Sequence, residues 1–360
     1  MTRVIIVCGA GGVGKTTTSA ALAIRLAEAG QRVAVLTIDP ARRLADALGI
    51  AALGNTASAV PVNAGSLDAL MLDAKETFDG IVRNNAPSAQ IRDRILKNHY
   101  YRFVSSRLPG VHEYMAMERL LELVDSKQYD VVVLDTPPTR HALDFLSAPD
   151  RMAGLMDEGV MRWLVLPASA GGWRMIEMGS DLLAGVLKRL LGEKTIEDIA
   201  EFFSGFQTLW AGFRERSLAA RALISSDQTR FVLVTTPAPG APGDALAFLD
   251  VLRRDEFPFA GFLVNRCVSV LEPVAVWPAP PANVPASTWD VLKHSIEETV
   301  ARRNQIAQSQ DAAIADLRAH APAGAKVWRL PEADDEIRSL AGLRSLGASL
   351  PADILRSSDS

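Results

Sequence analysis

The chain has 360 residues, a length that corresponds to one large domain or two of moderate size. Hydrophobic residues make up 48% and charged residues 22%, which excludes a chain disordered throughout and a fibrous repeat. The formal net charge of −4 offers no broad basic surface for a phosphate backbone, so we expect no nucleic acid partner.

Short apolar, β-branched runs recur along the chain and predict strands that are buried on both faces of a sheet. The clear runs are residues 4–8, 33–38, 69–72, 131–134, 231–234 and 262–264, with a weaker run at 327–330. Helical patterns separate several of them, which predicts an α/β fold with a mostly parallel, twisted sheet wrapped by helices. Functional groups should then lie at the carboxyl ends of the strands. The polar residues at those ends are Asp39, Asp73, Asp135 and Asn265.

The first strand leads into GAGGVGKT at residues 9–16, which fits the pattern G-x-x-x-x-G-K-[ST] between a strand and a helix. Glycines let backbone N–H groups wrap phosphates, and the amino terminus of the helix adds positive potential. Lys15 would neutralise β- and γ-phosphate oxygens, and the Thr16 hydroxyl would ligate Mg²⁺. The predicted phosphate-binding residues are Gly11, Gly12, Val13, Gly14, Lys15 and Thr16.

A dinucleotide site is the rival interpretation of this loop. The stretch from Gly9 to Gly14 also satisfies G-x-G-x-x-G, and Asp39 ends the second strand where a dinucleotide fold places its ribose-binding acid. However, a dinucleotide site has no use for the Lys-Thr pair that completes the motif. A second acidic strand end, Asp135, is followed by Thr-Pro-Pro-Thr. We therefore predict that the loop binds a nucleoside triphosphate.

The alternation of strands and helices breaks at residues 151–227, which contain no convincing strand. We predict a helical insertion there, between a first part of the core at 1–150 and a second part at 228–350. Five of the nine methionines fall in residues 152–178, which favours either a groove for hydrophobic helices or a packed core or dimer surface. A proline-rich loop, a long helix over about residues 288–318 and a frayed tail at 351–360 complete the chain.

Three motifs carry a resemblance to a known family: GAGGVGKTT at 9–17, TIDPARRLADALG at 37–49 and LDTPPTRHALDFL at 134–146. With FVLVTTPAPG at 231–240 and FLVNR at 262–266, the chain resembles the arsenite-pump and tail-anchored-protein-targeting ATPases. This is a deviant Walker A group of P-loop ATPases. The resemblance implies an enzyme that hydrolyses ATP with Mg²⁺ and switches conformation through residues 39–46 and 135–141. It also implies a homodimer, or a heterodimer with a paralogous ATPase subunit.

The same resemblance implies roles for single residues. Asp39 would polarise the attacking water, Asp135 would hold Mg²⁺ through water, and Thr17 would contact the α-phosphate. Asn265 would read the adenine edge, and Pro331 would pack on the base. The residues alone allow other roles, because an aspartate at a strand end can cap a helix and an asparagine can close a turn.

The chain departs from the family pattern in its loop, where Ala10 occupies the position of the signature lysine that reaches the partner's phosphates. A cation at the transferring phosphoryl group is worth about 10³ to 10⁵ in rate, so fast hydrolysis is in doubt. Arg42 stands where the family has histidine and Arg140 where it has glycine, and either could compensate. They could instead solvate the switch loops or form surface ion pairs. A paralogous subunit that carries the lysine is a further possibility.

Three functions stay open at this point. The first is an ATPase that handles a hydrophobic protein client or a membrane partner, and the second is a subunit that drives a membrane anion transporter. The third is a nucleotide-binding scaffold with little hydrolysis, as Ala10 suggests. Arsenite stimulation is not expected, because the two cysteines, Cys8 and Cys267, lie in separate strand contexts. The amino terminus lacks a long apolar segment, so we expect a cytoplasmic protein.

Overall fold

The computed structural model describes residues 1–39, 41–99, 101–102, 105, 111–138, 145–148, 209–333, 337 and 339–350. Most of the predicted helical insertion, residues 151–208, lies outside these described residues, and so does the predicted tail at 351–360. The choice between a groove and a packed core at 152–178 therefore stays a prediction, and so does the role of Arg140.

Eight strands form one sheet at the centre of the described structure. They are β1 (Arg3–Gly9), β2 (Arg32–Thr37), β3 (Ser58–Val60), β4 (Ser66–Met71), β5 (Val131–Asp135), β6 (Thr229–Thr235), β7 (Phe259–Cys267) and β8 (Lys326–Pro331). Their order is β3-β4-β2-β5-β1-β6-β7-β8, and every neighbouring pair is parallel except β3 with β4. This confirms the predicted α/β fold and all seven predicted strands. The edge strand β3 was not predicted, because three residues are too few to show a period.

Nine helices are described, and they cover both faces of this sheet. They are α1 (Lys15–Glu28), α2 (Arg43–Leu48), α3 (Ala74–Asn85), α4 (Ala89–Lys97), α5 (Val111–Asp125), α6 (Trp210–Ile224), α7 (Ala241–Arg254), α8 (Ala286–His320) and α9 (Leu340–Ala348). Apolar side chains of α1, α2 and α9 cluster with Ile5 and Val7 of β1 on one face. Side chains of α3 to α8 cluster with Val4 and Ile6 on the other. Because both faces are covered, the central strands are apolar at nearly every position.

The three strands β2, β5 and β1 lie side by side, so their carboxyl ends meet at one edge of the sheet. The register places Val7 of β1 and Thr37 of β2 on either side of Asp135. Asp73, which follows β4, has a different role, because its side chain accepts a hydrogen bond from the Glu76 N–H and begins α3. The edge formed by β2, β5 and β1 is therefore where a site can be assembled.

The proline-rich loop and the long helix are both found as predicted. Residues 268–285 contain no helix or strand and are largely exposed, and α8 follows with 35 residues. Only the second half of α8 packs deeply on the sheet, through Ala307, Ile314 and Leu317. Within the described ranges, no helix is both long enough and apolar enough to cross a membrane.

A buried ionic network joins α5 to α6 beneath one face of the sheet. The Glu118 side chain is only 3% exposed, and its carboxylate accepts hydrogen bonds from the Arg216 guanidinium and the Tyr114 hydroxyl. The Tyr114 hydroxyl also lies 3.2 Å from the Phe213 carbonyl oxygen. Burial, together with the neighbouring Glu118 charge, raises the pKa of Tyr114, so its hydroxyl stays protonated and donates. This network fixes α6 against α5.

Replacing Arg216 with Ala is expected to lower the free energy of unfolding by about 2–3 kcal/mol. The loss follows because the substitution leaves the buried Glu118 carboxylate without its guanidinium partner. The expected value is at the low end for such pairs, since Arg216 itself is 32% exposed. Urea denaturation of the two proteins measures it. Arg92→Ala removes an exposed Arg–Asp pair on α4 and should change stability by less than about 1 kcal/mol. Equal losses in the two variants would contradict the expectation.

Candidate active site

The loop between β1 and α1 forms one wall of the site. It ends at Gly14, whose φ of +96° lies in the left-handed region and which serves as the N-cap of α1 without a capping side chain. The first backbone N–H groups of a helix have no partner within the helix, so those that follow Gly14 are available to an anion. The loop therefore has the features of a phosphate-binding turn.

Asn265, at the end of β7, supports this loop from behind. Its Nδ2 donates to the Val13 carbonyl oxygen at 2.9 Å, and its Oδ1 accepts from the Arg266 N–H at 2.9 Å. A Cβ at Gly14 would lie 2.4 Å from the Asn265 Nδ2 and would displace that amide, and the positive φ of position 14 favours glycine as well. The side chain of Asn265 is buried and satisfied by these contacts, whereas its role at an adenine edge stays a prediction.

Lys15 opens α1 and is almost completely buried, with an exposed fraction of 7%. Its Nζ donates to the carbonyl oxygen of Ala10 at 2.9 Å, across the mouth of the loop. Burial lowers the pKa of Lys15, against the opposing effect of the Asp135 carboxylate. The amine is thus held over the loop by a neutral carbonyl oxygen. A phosphate oxygen can take the place of this carbonyl oxygen, and its negative charge makes it the stronger acceptor.

Asp135 is completely buried at the end of β5 and is surrounded by hydroxyl groups. Thr16 Oγ1 donates to its Oδ2 at 2.8 Å, Thr37 Oγ1 to the same oxygen at 3.0 Å, and Ser19 Oγ to its Oδ1 at 3.4 Å. Burial raises the pKa of Asp135 to about 6, and the hydroxyl hydrogen bonds act in the opposite direction. The carboxyl is therefore mostly ionised at neutral pH, with Thr16 as its link to the loop.

These residues can be tested for their fit to Mg²⁺. The Thr16 hydroxyl and the Asp135 carboxylate lie 2.8 Å apart beside the loop and are oxygen ligands of the kind that Mg²⁺ prefers. The ion keeps several waters, so it needs only one or two protein ligands together with phosphates. The two residues fit the ion in this way. In the described part of the chain, no group of three or more His, Cys, Asp or Glu could hold a metal.

Asp39 follows β2 and lies next to this wall. Its Oδ1 accepts from the Ala41 N–H at 2.9 Å, and its Oδ2 lies 3.3 Å from a guanidinium nitrogen of Arg43. The preceding residue, Ile38, places its carbonyl oxygen 3.2 Å from the Nε2 of His112 on α5. The loop that carries Asp39 is therefore held both locally and by a helix distant in sequence.

These elements enclose a cleft of about 1010 Å³. Its lining contains the predicted residues Gly11, Gly12, Gly14, Lys15, Thr16, Thr17 and Asp39. Val13, Asp135 and Asn265 are buried in its walls and are not among the described lining residues. Pro331 is exposed at the end of β8, opposite Cys267 in the register, and it too is outside the described lining. The structure thus assembles the phosphate end of the predicted site more completely than the base end.

Sequence reasoning missed three polar residues at this site. Thr37 and Ser19 contact Asp135, and Arg43 contacts Asp39 and lines the cleft. Thr37 could have been found from the parallel pairing of the second strand with the strand that ends at Asp135, whereas Ser19 and Arg43 carry no signal of their own. The predicted Arg42 is exposed at the N-cap of α2 and is not among the described residues of the cleft.

The chain is similar in sequence to known ATPases. A family described as anion-transporting ATPase matches residues 2–237. ATPase GET3 of Malassezia globosa is 38% identical over 146 residues, which are 40% of this chain and 42% of that protein. ATPase get3 of Schizosaccharomyces pombe is 35% identical over 152 residues (40% and 43%), and ATPase ASNA1 homolog 1 of Paramecium tetraurelia is 32% identical over 164 (45% and 47%). The matched region spans less than half the length of each of these relatives.

Proposed function

Because the chain belongs to the anion-transporting ATPase family, we propose that it binds Mg-ATP in the cleft and couples hydrolysis to a conformational switch. The observation that carries the proposal is the meeting of three groups at one sheet edge: a glycine loop capping α1, the buried amine of Lys15, and the Thr16–Asp135 pair. A site for a dinucleotide would require neither the Lys15 amine nor the Thr16–Asp135 pair.

Each residue of the site has a separate role in phosphoryl transfer. Backbone N–H groups after Gly14 and the amine of Lys15 bind and neutralise the phosphate oxygens. Thr16 and Asp135 would hold Mg²⁺, which when bound neutralises charge on the β- and γ-phosphates. Asp39 orients a water for in-line attack on the γ-phosphorus, which releases ADP and inorganic phosphate.

The switch is proposed to act through the residues that follow β2 and β5. Asp39 lies in the cleft, while the carbonyl of Ile38 contacts His112 on α5. α5 in turn is joined to α6 by the Glu118–Arg216 pair, at the point where the chain returns from the predicted insertion. A change at Asp39 on hydrolysis therefore has a continuous packed route towards that insertion, where a hydrophobic protein client or a membrane partner would bind.

Two other proposals rest on single observations. The family description favours a subunit that drives a membrane anion transporter. Ala10 favours a scaffold that hydrolyses ATP slowly, or a homodimer or heterodimer in which a paralogous subunit supplies the missing lysine. The rate of hydrolysis and its dependence on protein concentration separate a slow scaffold or incomplete subunit from an enzyme that works on its own.

Replacing Lys15 with Ala is expected to weaken ATP binding about 10- to 100-fold, because the amine makes a charge-assisted contact with the phosphates. Equilibrium titration with a fluorescent ATP analogue measures the change. Lys97→Ala is the matched control, since it removes an equal charge from the exposed end of α4. Affinity that is unchanged in Lys15→Ala, or reduced as much in Lys97→Ala, would count against the proposed site.

A further inference from the structure

The charge of the cleft is low for a site that must hold a triphosphate. Its described lining carries two cationic side chains, Lys15 and Arg43, and two carboxylates, Asp39 and Asp46. Ala10 adds no charge to the loop. A triphosphate would therefore be bound more tightly by each cation that the lining offers.

The backbone of Arg43 is fixed, whereas its guanidinium is exposed and can move. It is the first residue of α2, a helix anchored in the core by Leu44, Ala45, Ala47 and Leu48. Its side chain is nevertheless 68% exposed and lies on the wall of the cleft. Its guanidinium contacts the Oδ2 of Asp39 at a long 3.3 Å, in an ion pair whose arginine is largely exposed although Asp39 is only 19% exposed, and solvent at the arginine weakens such a pair. The guanidinium can therefore leave Asp39 for a stronger partner at small cost.

Resting on the proposed function, we propose that Arg43 is a γ-phosphate-binding residue of this ATPase, exchanging its contact with Asp39 for the terminal phosphate of ATP. A guanidinium presents paired N–H donors that match two phosphate oxygens, and a terminal phosphate carries more charge than one carboxylate. Arg43 thereby supplies on this chain the second cation that Ala10 does not.

The exchange has a consequence for the chemistry. In the described structure, Oδ2 of Asp39 is occupied by Arg43 and Oδ1 by the Ala41 N–H. When the guanidinium turns to the phosphate, Oδ2 becomes available to accept a hydrogen bond from the attacking water. Binding of ATP would thus free the Asp39 carboxylate to orient the water. ADP lacks the terminal phosphate and would leave the contact between Asp39 and Arg43 in place.

Two further observations support a shared target for Lys15 and Arg43. Lys15 and Arg43 both line the same cleft. Burial is the main cause that lowers the pKa of Lys15, and the positive charge of Arg43 acts in the same direction. Arg42, one residue earlier, precedes the first turn of α2 as its N-cap and is not among the described cleft residues. The start of α2 thus decides which of two adjacent arginines faces the nucleotide.

The experiment compares ATP with ADP binding in Arg43→Ala, Arg43→Lys and Arg42→Ala, by competition against a fluorescent nucleotide analogue. We expect Arg43→Ala to weaken ATP binding about tenfold and to change ADP binding less than twofold, because only ATP offers the terminal phosphate. Arg43→Lys should retain part of the preference, since an ammonium keeps the charge and loses the paired geometry. Arg42→Ala removes an equal charge at the adjacent position, and its loss of ATP affinity should be much smaller.

A double-mutant cycle tests the exchange itself. Asp39→Ala removes the competitor for the guanidinium, so it should strengthen ATP binding more when Arg43 is present than when Arg43 is Ala, where only the repulsion between the carboxylate and the phosphates is relieved. A merely structural role for Arg43 would not produce that dependence. Thermal melts of each variant verify folding, and Arg43→Lys serves as the measurement if Arg43→Ala is unfolded.

The outcomes are distinct. Equal losses of ATP and ADP binding in Arg43→Ala, an equal loss in Arg42→Ala, or additive effects in the cycle would overturn the role of Arg43. In those cases, ATP binding that still depends on Lys15 would leave the proposed function intact. Failure of the wild-type chain to bind ATP would overturn both.

Discussion

Replacing Asp39 with Asn is expected to reduce ATP hydrolysis about 10²- to 10⁴-fold while ATP still binds. The rate is expected to fall because the Asp39 carboxylate positions the reacting water and accepts its proton. Asparagine has nearly the same shape, and its side-chain oxygen can still accept from the Ala41 N–H. However, it lacks the carboxylate charge, and its amide donates a hydrogen bond where the water needs an acceptor. Steady-state phosphate release, with nucleotide binding measured in parallel, checks the expectation.

The matched control is Asp73→Asn. Asp73 follows β4 as Asp39 follows β2, and the two strands are neighbours in the sheet. Its side chain caps α3, a role that asparagine fills about as well as aspartate. Turnover in Asp73→Asn should stay within about twofold of the wild-type value. A similar rate loss in both variants, or full activity in Asp39→Asn, would show that Asp39 does not act on the water.

The same assay, run over a series of protein concentrations, separates an ATPase that works on its own from a scaffold or an incomplete subunit. A rate per subunit that rises with concentration and is lost in Asp39→Asn indicates a self-associated enzyme that works without a lysine at position 10. A wild-type rate no greater than that of Asp39→Asn, with nucleotide still bound, indicates a scaffold or a subunit that requires a paralogous partner. The second result would also limit Arg43 to a role in binding.

Replacing Gly9 with Ala is expected to lower the free energy of unfolding by about 3–6 kcal/mol. Gly9 ends β1 with a φ of +153°, and a Cβ there would lie 2.1 Å from the Val234 carbonyl oxygen of β6. β6 is held between β1 and β7, so its backbone has little freedom to move aside. The strain and the collision both act at the centre of the sheet. Chemical denaturation measures the loss.

Gly30→Ala provides the comparison that isolates the collision. Gly30 also has a positive φ, of +92°, but an added Cβ would have no described atom within 4 Å. Its substitution should therefore produce only the conformational strain, about 1–2 kcal/mol. If Gly9→Ala and Gly30→Ala lose equal stability, the close approach to β6 is not what requires glycine at the start of the loop.

Much of the fold followed from the sequence because its signals are local. Each of the seven predicted strands is a contiguous apolar run, and burial on both faces of a parallel sheet leaves that pattern in the chain itself. The phosphate loop is eight consecutive residues, and its φ angles and free N–H groups depend on glycines within that stretch. Among the strands of the described residues, only β3 was not predicted, because pairing with β4 and not composition makes three residues a strand.

The site depends on contacts between segments that are distant in sequence. The amide of Asn265 holds the carbonyl of Val13 across 252 residues, and nothing near either residue indicates the other. Thr37 and Ser19 reach Asp135 because parallel register and the first turns of α1 bring three segments to one point. Asp73 shows that a similar position in the sequence does not place a residue in the site. Like Asp39 it follows a strand, yet its side chain caps a helix.

The sequence by itself thus determined the type of fold, the phosphate loop and the edge of the sheet where the site lies, because each depends on short, contiguous patterns. Only the tertiary structure decided which polar groups meet there. The sequence pointed to Arg42 and Arg140 as arginines that could compensate for Ala10, whereas the packing of α2 places the adjacent Arg43 in the lining of the cleft. Orientation of this kind follows from where a helix begins and what it is buried against, which residue identity alone does not encode.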